Sequence, residues 1–284
     1  MVSAFLLLYR TKEAKLIHVQ DSVTFLVWWL PSFLLGRKIL WHIRCITKDS
    51  LFYKIAFRLA DGLLFVSSLD KNFRRVRDMR DDGEVIEFTP NIKKRDKTKF
   101  RKRTTQQTIR LIQVGCVGNR KRLFFTLKFF KHLIDHNIDV RLTLAGLSDV
   151  ELSMIRNNYS TILDLIELNP WVKDVQSLMD KSDVLILPSK DEAFGRVQLE
   201  AVNSGLAILA ARSQASETLV GVNKRIGAIL NNDDFAEWTK ILLLLSEQRA
   251  TAKFEYAEKN SFIEKYFFEN NIERLKAFYS SVEV

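Results

Sequence analysis

Two doubly wound α/β domains with parallel sheets, joined by a basic linker, form the fold class this sequence predicts, on three observations. Short runs rich in leucine and β-branched residues alternate with longer stretches of helical, amphipathic period, the pattern of strands joined by crossover helices and buried on both faces. Between Pro90 and Gln107 (PNIKKRDKTKFRKRTTQQ) that periodicity vanishes, although it is strong on either side, and this marks a domain boundary. A length of 284 residues suits two domains of ordinary size.

In chain order, the first domain (residues 1–91) is predicted to hold strands at Leu16–Val19, Ile39–His42, Leu63–Val66 and Val85–Phe88, with helices between them. The longest apolar run, Val23–Leu35 (VTFLVWWLPSFLL), follows the first strand. It falls short of the ~20 residues that cross a bilayer, and Pro31 interrupts it. Its flank holds Asp21 and no basic residue, and it lies too far along the chain for a signal peptide. A buried helix is the favoured reading; an in-plane membrane helix is the competitor, because Trp28 and Trp29 suit an interface. After the linker (92–107), the second domain (108–260) is predicted to hold strands at Ile109–Val114, Val140–Ala145, Leu163–Leu168, Val184–Leu187, Ala207–Ala210 and Ile226–Leu230. Its clearest helices are Arg122–Asp135, with Phe129 and Phe130 as core, Arg196–Asn203 and Asp234–Ser246. Residues 261–284 read as a C-terminal helix that packs back toward the first domain.

Composition narrows the function classes. At 47% hydrophobic and 27% charged the chain is globular rather than disordered. Its two cysteines, Cys45 and Cys116, form no ligand cluster, which fits a reducing, cytoplasmic compartment and argues against a disulfide scaffold or a zinc site. The net charge of +10 is uneven: residues 1–103 hold 22 Lys+Arg against 11 Asp+Glu, and the remainder is nearly neutral. A basic face attracts polyanions, whether anionic lipid headgroups, phosphate-bearing substrates or nucleic acid. Nucleic acid is set aside, because the basic linker interleaves only Phe100 and no recognition module is present. The arginines Arg74, Arg75 and Arg77 are the expected contact with an anionic membrane surface.

One stretch carries the chemistry: SKDEAFGRVQLEAVNSGLAILA, residues 189–210. The apolar run Val184–Leu187 ends at Pro188, so Pro188–Phe194 form a loop at the carboxyl end of a strand, where open α/β sheets bind their ligands. Gly195 opens the next helix and permits close approach of a ligand, with the amides of Phe194–Val197 and the positive helix end favouring an anion such as a diphosphate. Glu192 precedes this turn and Glu200 lies about one helical turn inside it, so the two carboxylates suit opposite ends of one ligand, each accepting from hydroxyls. A nucleotide sugar, hydroxylated at both ends and anionic in the middle, has that form. The competing readings are that Glu192 caps the helix and that Glu200 is a solvated helix residue.

The segment SDVLILPSKDEAFGRVQLEAVNSGLAILA resembles the E-x7-E signature of the retaining GT-B glycosyltransferases of the family 4 type, with Pro-Ser, Glu, Phe-Gly, Glu-Ala, a glycine and an apolar strand in order. SQASETLV with Glu217 and RIGAIL with Gly227 continue the likeness, IRLIQVGCVGNRKR resembles the opening strand and glycine loop of the donor domain, and FTPNI (Pro90, Asn91) resembles the approach to the linker. The resemblance implies a GT-B arrangement and transfer of a sugar from a nucleotide diphosphate donor to a hydroxyl acceptor with retention, in polysaccharide or glycolipid biosynthesis. It also implies no cofactor and no metal, and no Asp-x-Asp segment lies near the site. Residue by residue, Glu192 would hold the donor sugar hydroxyls, the Phe194-Gly195-Arg196 amides would meet the sugar and distal phosphate, with Val197 beside them, and Glu200 would bind the ribose. Lys121, beside the loop that Gly115 opens, would hold the diphosphate, and His42 would stand beside the reacting sugar. Where the family commonly places arginine straight after the loop glycine this chain has Cys116, and Arg120 is the candidate substitute. The first domain reads as shortened at its start, which keeps open a second class, a non-catalytic or partner-dependent sugar-nucleotide-binding subunit. A phosphorylase on the same fold lacks support, since no pyridoxal-type lysine motif is seen.

Overall fold

Four short parallel strands, β1 (Leu16–Val19), β2 (Lys38–Ile43), β3 (Gly62–Phe65) and β4 (Gly83–Val85), lie side by side in chain order in the computed structural model. The structure describes residues 2–11, 13–44, 50–67, 76, 83–85, 108–221, 223, 226–250, 264, 266 and 268–283. The linker 92–107, Pro90, Asn91, Cys45 and the arginines Arg74, Arg75 and Arg77 lie outside them. By its contacts the chain divides into two compact units, Met1–Asn91 with Glu192–Phe194 and Lys265–Val284, and Ile92–Asp191 with Gly195–Glu264.

In the first unit, helices α1 (Val2–Arg10), α2 (Ser22–Leu34) and α3 (Leu51–Leu59) accompany the sheet. Asp21 starts α2 through a capping box with Thr24, accepting from the amides of Val23 and Thr24 at 2.9 and 2.8 Å. Side chains alternate across the strands, so each sheet face has its own cover. Ile17, Val19, Ile39, Trp41 and Ile43 pack against Phe25, Trp28 and Trp29 of α2 and Tyr53, Ala56 and Phe57 of α3. On the other face Leu16, Leu40 and Leu64 meet Leu275, Phe278, Tyr279 and Val282 of the C-terminal helix Phe268–Glu283. Strand β4 ends at Val85, and residues 86–88, expected as strand, lie outside the described residues. The run Val23–Leu35 is buried on one side only: Phe25 is fully buried, while Val23, Leu26, Leu30, Phe33 and Leu34 face solvent.

The second unit builds a six-stranded parallel sheet from β5 (Ile109–Val114), β6 (Val140–Ala145), β7 (Ile166–Asn169), β8 (Val184–Leu187), β9 (Ala207–Ala211) and β10 (Gly227–Leu230), in the spatial order β10-β9-β8-β5-β6-β7. The helices are α4 (Leu123–Asp135), α5 (Asp149–Asn158), α6 (Val175–Met179), α7 (Arg196–Asn203) and α8 (Phe235–Ala250). Every residue of β8 is buried, as an all-apolar strand covered on both faces requires. Phe129 and Phe130 have no exposed surface, and Phe125 and Phe129 of α4 pack edge-on against Trp238 of α8 at 4.8 and 5.7 Å between ring centres. Burying such a ring contributes roughly 1.5–3 kcal/mol. One expected strand is corrected: Ser160–Leu165 winds as a 3-10 helix and β7 begins only at Ile166. The apolar residues Ile162 and Leu165 recur at a spacing of three, the period of that helix.

Candidate functional site

Strand order in the second unit reverses between β5 and β8: β6 and β7 step away on one side, and the chain returns to place β8 on the other. Loops at the carboxyl ends of the two central strands of such a sheet part from each other and leave a crevice. Both candidate loops lie there, the one after β5 holding Gly115–Lys121 and the one after β8 holding Pro188–Gly195. Arg122 joins them, its Nη1 donating to the carbonyl oxygen of Pro188 at 3.1 Å.

The first loop is held by backbone. The amides of Gly115 and Cys116 donate to the carbonyls of Ala145 and Gly146 at 2.8 and 3.0 Å, continuing the β5–β6 ladder beyond the strand ends. Gly115 adopts φ +73, and a Cβ there would meet Lys121 Cε at 3.7 Å, so the Lys121 side chain lies over the loop glycine. Asn119–Lys121 form a 3-10 turn that Gln113, buried at the end of β5, fixes by donating from Nε2 to the Lys121 carbonyl at 2.8 Å. Arg120 of the same turn is exposed. Cys116 is buried with its thiol toward the Gln113 carbonyl at 3.7 Å, and burial pushes it up to about 12. It therefore stays a neutral thiol and supplies no charge where an arginine would.

The second loop turns at Gly195, which takes φ +70 and caps α7 with no side-chain capping bond. The first bond inside the helix runs from the Gln198 amide to the Gly195 carbonyl at 2.8 Å, and a helix's leading amides have no partner within it. Arg196 is exposed, Val197 half-buried, and Phe194 buried. A Cβ on Gly195 would fall 2.4 Å from Gln198 Nε2 and 2.9 Å from Ala215 Cβ. The glutamine amide can turn aside, but Ala215 sits in a buried turn. Gly195→Ala should therefore cost about 1–2 kcal/mol for the left-handed backbone and roughly 1–3 kcal/mol more for the forced contact. Urea unfolding measures this, and an unchanged midpoint would contradict the turn described.

Glu200 stands on α7 facing half into the protein. Burial pushes its carboxyl above the ordinary value, and the Arg196 guanidinium, Nη2 3.6 Å from Oε1, pulls partly the other way. The result is a desolvated acceptor, whose hydrogen bonds are stronger than those of a carboxylate in water. Glu192 is half-buried and lies three residues ahead of the cap, so the helix start is not built on its side chain. Glu192–Phe194 belong with the first unit and Glu200 with the second.

Two residues that support this geometry were not legible as such. Arg122 reads as one more member of the Arg120-Lys121-Arg122 cluster, yet it adopts φ +51, makes a two-bond pair with Asp233 at 2.7 and 3.1 Å, and lies over the Phe125 ring. Hydrogen bonds from Arg122, then from Lys190 at 3.1 Å, hold the Asp233 carboxyl below its ordinary value. Gln198 is fully buried and its amide nitrogen and oxygen have no hydrogen-bond partner among the described residues.

His42 lies on β2 of the first unit and is buried. Its ring stacks on His18 of β1 at 5.5 Å, and His18 Nδ1 is 2.7 Å from the Tyr279 hydroxyl of the C-terminal helix. Burial, then His18 and Arg44, push His42 down to about 3, so it is a neutral imidazole at physiological pH.

Two doubly wound parallel sheets, the second with glycine-bent loops at its switch point, define the GT-B fold. Residues 108–248, about half the chain, match the family described as Glycosyl transferases group 1. The chain is 21% identical over 205 residues to the Escherichia coli UDP-Gal:alpha-D-GlcNAc-diphosphoundecaprenol alpha-1,3-galactosyltransferase, covering 71% of this chain and 53% of that protein. It is 30% identical over 112 residues to the D-inositol 3-phosphate glycosyltransferase of Corynebacterium urealyticum, covering 39% of this chain and 26% of that protein. The chain thus spans about half the length, or less, of the curated relatives it matches. Among solved structures, Anabaena HepE in complex with UDP-glucose superimposes with a TM-score of 0.78 at 17% identity, over 98% of this chain and 82% of that one. Together, the family match and the shared fold show a GT-B architecture whose second unit carries a Glycosyl transferases group 1 domain.

Proposed function

We propose that this chain transfers a sugar from a nucleoside diphosphate donor to a hydroxyl acceptor, with retention of anomeric configuration and without a metal. The observation that carries the reading is the second unit's switch point. There a glycine-capped helix start and Lys121 provide positive potential, and a desolvated carboxylate, Glu200, stands one turn inside the helix. As the acceptor oxygen bonds the anomeric carbon, the bond to the diphosphate breaks, the leaving group gains charge, and the hydroxyl proton passes to the departing diphosphate oxygen. Amide dipoles and a cation stabilise that charge in place of a metal. Glu192 would hold the sugar hydroxyls, Glu200 the ribose, the Phe194–Val197 amides the sugar and distal phosphate, and Arg120 would add charge at the loop where Cys116 has none. His42, neutral, would stand beside the sugar as a hydrogen-bonding group. Retention rests on the signature resemblance alone.

The acceptor in this reading is lipid-linked or part of an anionic glycan, in polysaccharide or glycolipid synthesis in the cytoplasm. The excess of basic residues in the first 103 supports an anionic partner, and the Escherichia coli relative's name gives a diphospholipid-linked acceptor. Among the described residues no helix is long and apolar enough to cross a membrane.

A panel of nucleotide sugars tests the donor. Ligand at a hundred times its Kd stabilises the folded state by about 2.7 kcal/mol, so one donor class should raise Tm clearly. Transfer with that donor should then persist in excess chelator. Stabilisation by no nucleotide sugar would overturn the donor reading, stabilisation without turnover would leave a binding subunit, and inactivation by chelator with rescue by manganese would overturn metal-free catalysis.

A further inference from the structure

The helices on one face of the first sheet carry more apolar surface than the fold uses. Helix α2 is apolar from Phe25 to Leu30, and again at Phe33 and Leu34, with Val23 ahead of its capping Thr24. Phe25 and Ser32 are buried on its inner side, yet Val23, Leu26, Leu30, Phe33 and Leu34, at spacings of three and four, form a continuous outward stripe. Phe33 and Val23 are the most open, at 69% and 67%. Helix α3 repeats the arrangement: Ala56 and Phe57 face in, and Leu51, Phe52, Ile55 and Leu59 face out, Leu51 at 72%. Both helices cover the same sheet face, meeting Trp41 from either side through Phe25 at 4.8 Å and Phe57 at 5.5 Å, and α1, packed on α2, adds Leu6, Leu7 and Tyr9. An exposed apolar surface of this extent on one face marks an interaction site.

Charge says what covers it. The three helices contain no acidic residue, and their charged groups, Arg10, Lys54 and Arg58, are all basic and exposed. Among the described residues the acids closest in sequence are otherwise engaged or lie beyond the helices: Asp21 caps α2, Asp61 pairs with Lys38 at 3.2 Å, and Glu13 follows α1. Trp28 and Trp29 lie partly exposed beside the stripe, the depth at which tryptophan is enriched in bilayers. Apolar side chains on helices whose own charged groups are all basic match acyl chains beneath anionic headgroups. We infer that the outer faces of α2 and α3, extended by α1, seat this protein in the interface of an anionic bilayer. This deepens the lipid-acceptor reading of the proposed function and differs from attachment by charge alone, since the apolar stripe is inserted.

The test is sedimentation of the full chain with vesicles of phosphatidylcholine, with and without phosphatidylglycerol, at low and high salt. Wild type is expected to bind the anionic vesicles and to keep part of that binding in high salt, because salt screens the cations and leaves the apolar insertion. Leu26→Gln/Phe33→Gln/Leu51→Gln should lower the bound fraction about tenfold or more at either salt concentration. Lys54→Gln/Arg58→Gln should lower it only at low salt. All are exposed positions, so unaltered Tm and unaltered nucleoside diphosphate binding establish folded protein, and that binding also tests the donor reading independently of the membrane. As a second readout, lipids brominated on the acyl chain should quench Trp28 and Trp29 fluorescence. Vesicle binding that the glutamine triple leaves unchanged, no binding at low salt, or a wild-type dimer that the triple converts to monomer without affecting vesicle binding would each overturn the inference.

Discussion

Glu192→Ala is expected to lower the turnover of sugar transfer by about 10²-fold or more while leaving the affinity for free nucleoside diphosphate close to that of wild type. In the proposed function the carboxylate holds the sugar hydroxyls, and the helix start and Lys121 hold the diphosphate. Its loss therefore frees the reacting sugar without releasing the nucleotide. A capping role would predict something else, a less stable helix α7, but that helix starts on Gly195 with no side-chain cap. Initial rates with saturating donor, beside calorimetry with the nucleotide alone, separate the two. A variant of wild-type turnover, or one whose defect is a lowered Tm, would remove Glu192 from the site.

Glu200→Gln should weaken nucleoside diphosphate binding by about 1.5–3 kcal/mol, the worth of a hydrogen bond to a charged group, which is roughly tenfold to over a hundredfold in Kd. The same substitution should not destabilise the protein. Burial raises the Glu200 carboxyl above its ordinary value, so its ionised form is disfavoured in the folded chain. The sign follows: this group's contribution to stability is fully present below the unfolded value and is lost as pH rises through the folded one. At neutral pH Glu200→Gln removes a desolvated charge, and Tm should hold or rise. Binding runs the opposite way with pH, since the acceptor must be ionised. Nucleotide affinity should fall on acidification at a higher pH than an ordinary glutamate would give, and that component should be missing from the variant. Unchanged affinity would end the ribose assignment.

What could be read from the chain depended on whether the partner was near. Strands β8 and β9 announce themselves, because a strand covered on both faces must be apolar throughout, as Val184–Leu187 and Ala207–Ala211 are. The turn at Gly195 is also local: an apolar run, a proline, a glycine and an amphipathic helix lie within one stretch. Arg122 was not legible, because its partner Asp233 is 111 residues away and nothing in the basic cluster distinguishes it from its neighbours. The contact of His18 with Tyr279 spans 261 residues and is silent for the same reason. Ile162 and Leu165 show another limit, since a short apolar run suits a strand and a 3-10 turn alike until neighbours decide. In Val23–Leu35 an apolar period with no polar face hides which side is covered.

The C-terminal helix has a consequence for the order in which the molecule is made. Leu40 and Leu64 on the first sheet are covered by Phe278 and Val282, more than two hundred residues later in the chain. A ribosome delivers the sheet well before its cover, with all of Ile92–Asp191 and Gly195–Glu264 synthesised in between. During that interval the face bearing His18 and His42 stays wet, while the second sheet's six strands, each paired only within that sheet, can already close. The nascent chain therefore carries an exposed apolar sheet face until the helical turns bearing Phe278 and Val282 have been made.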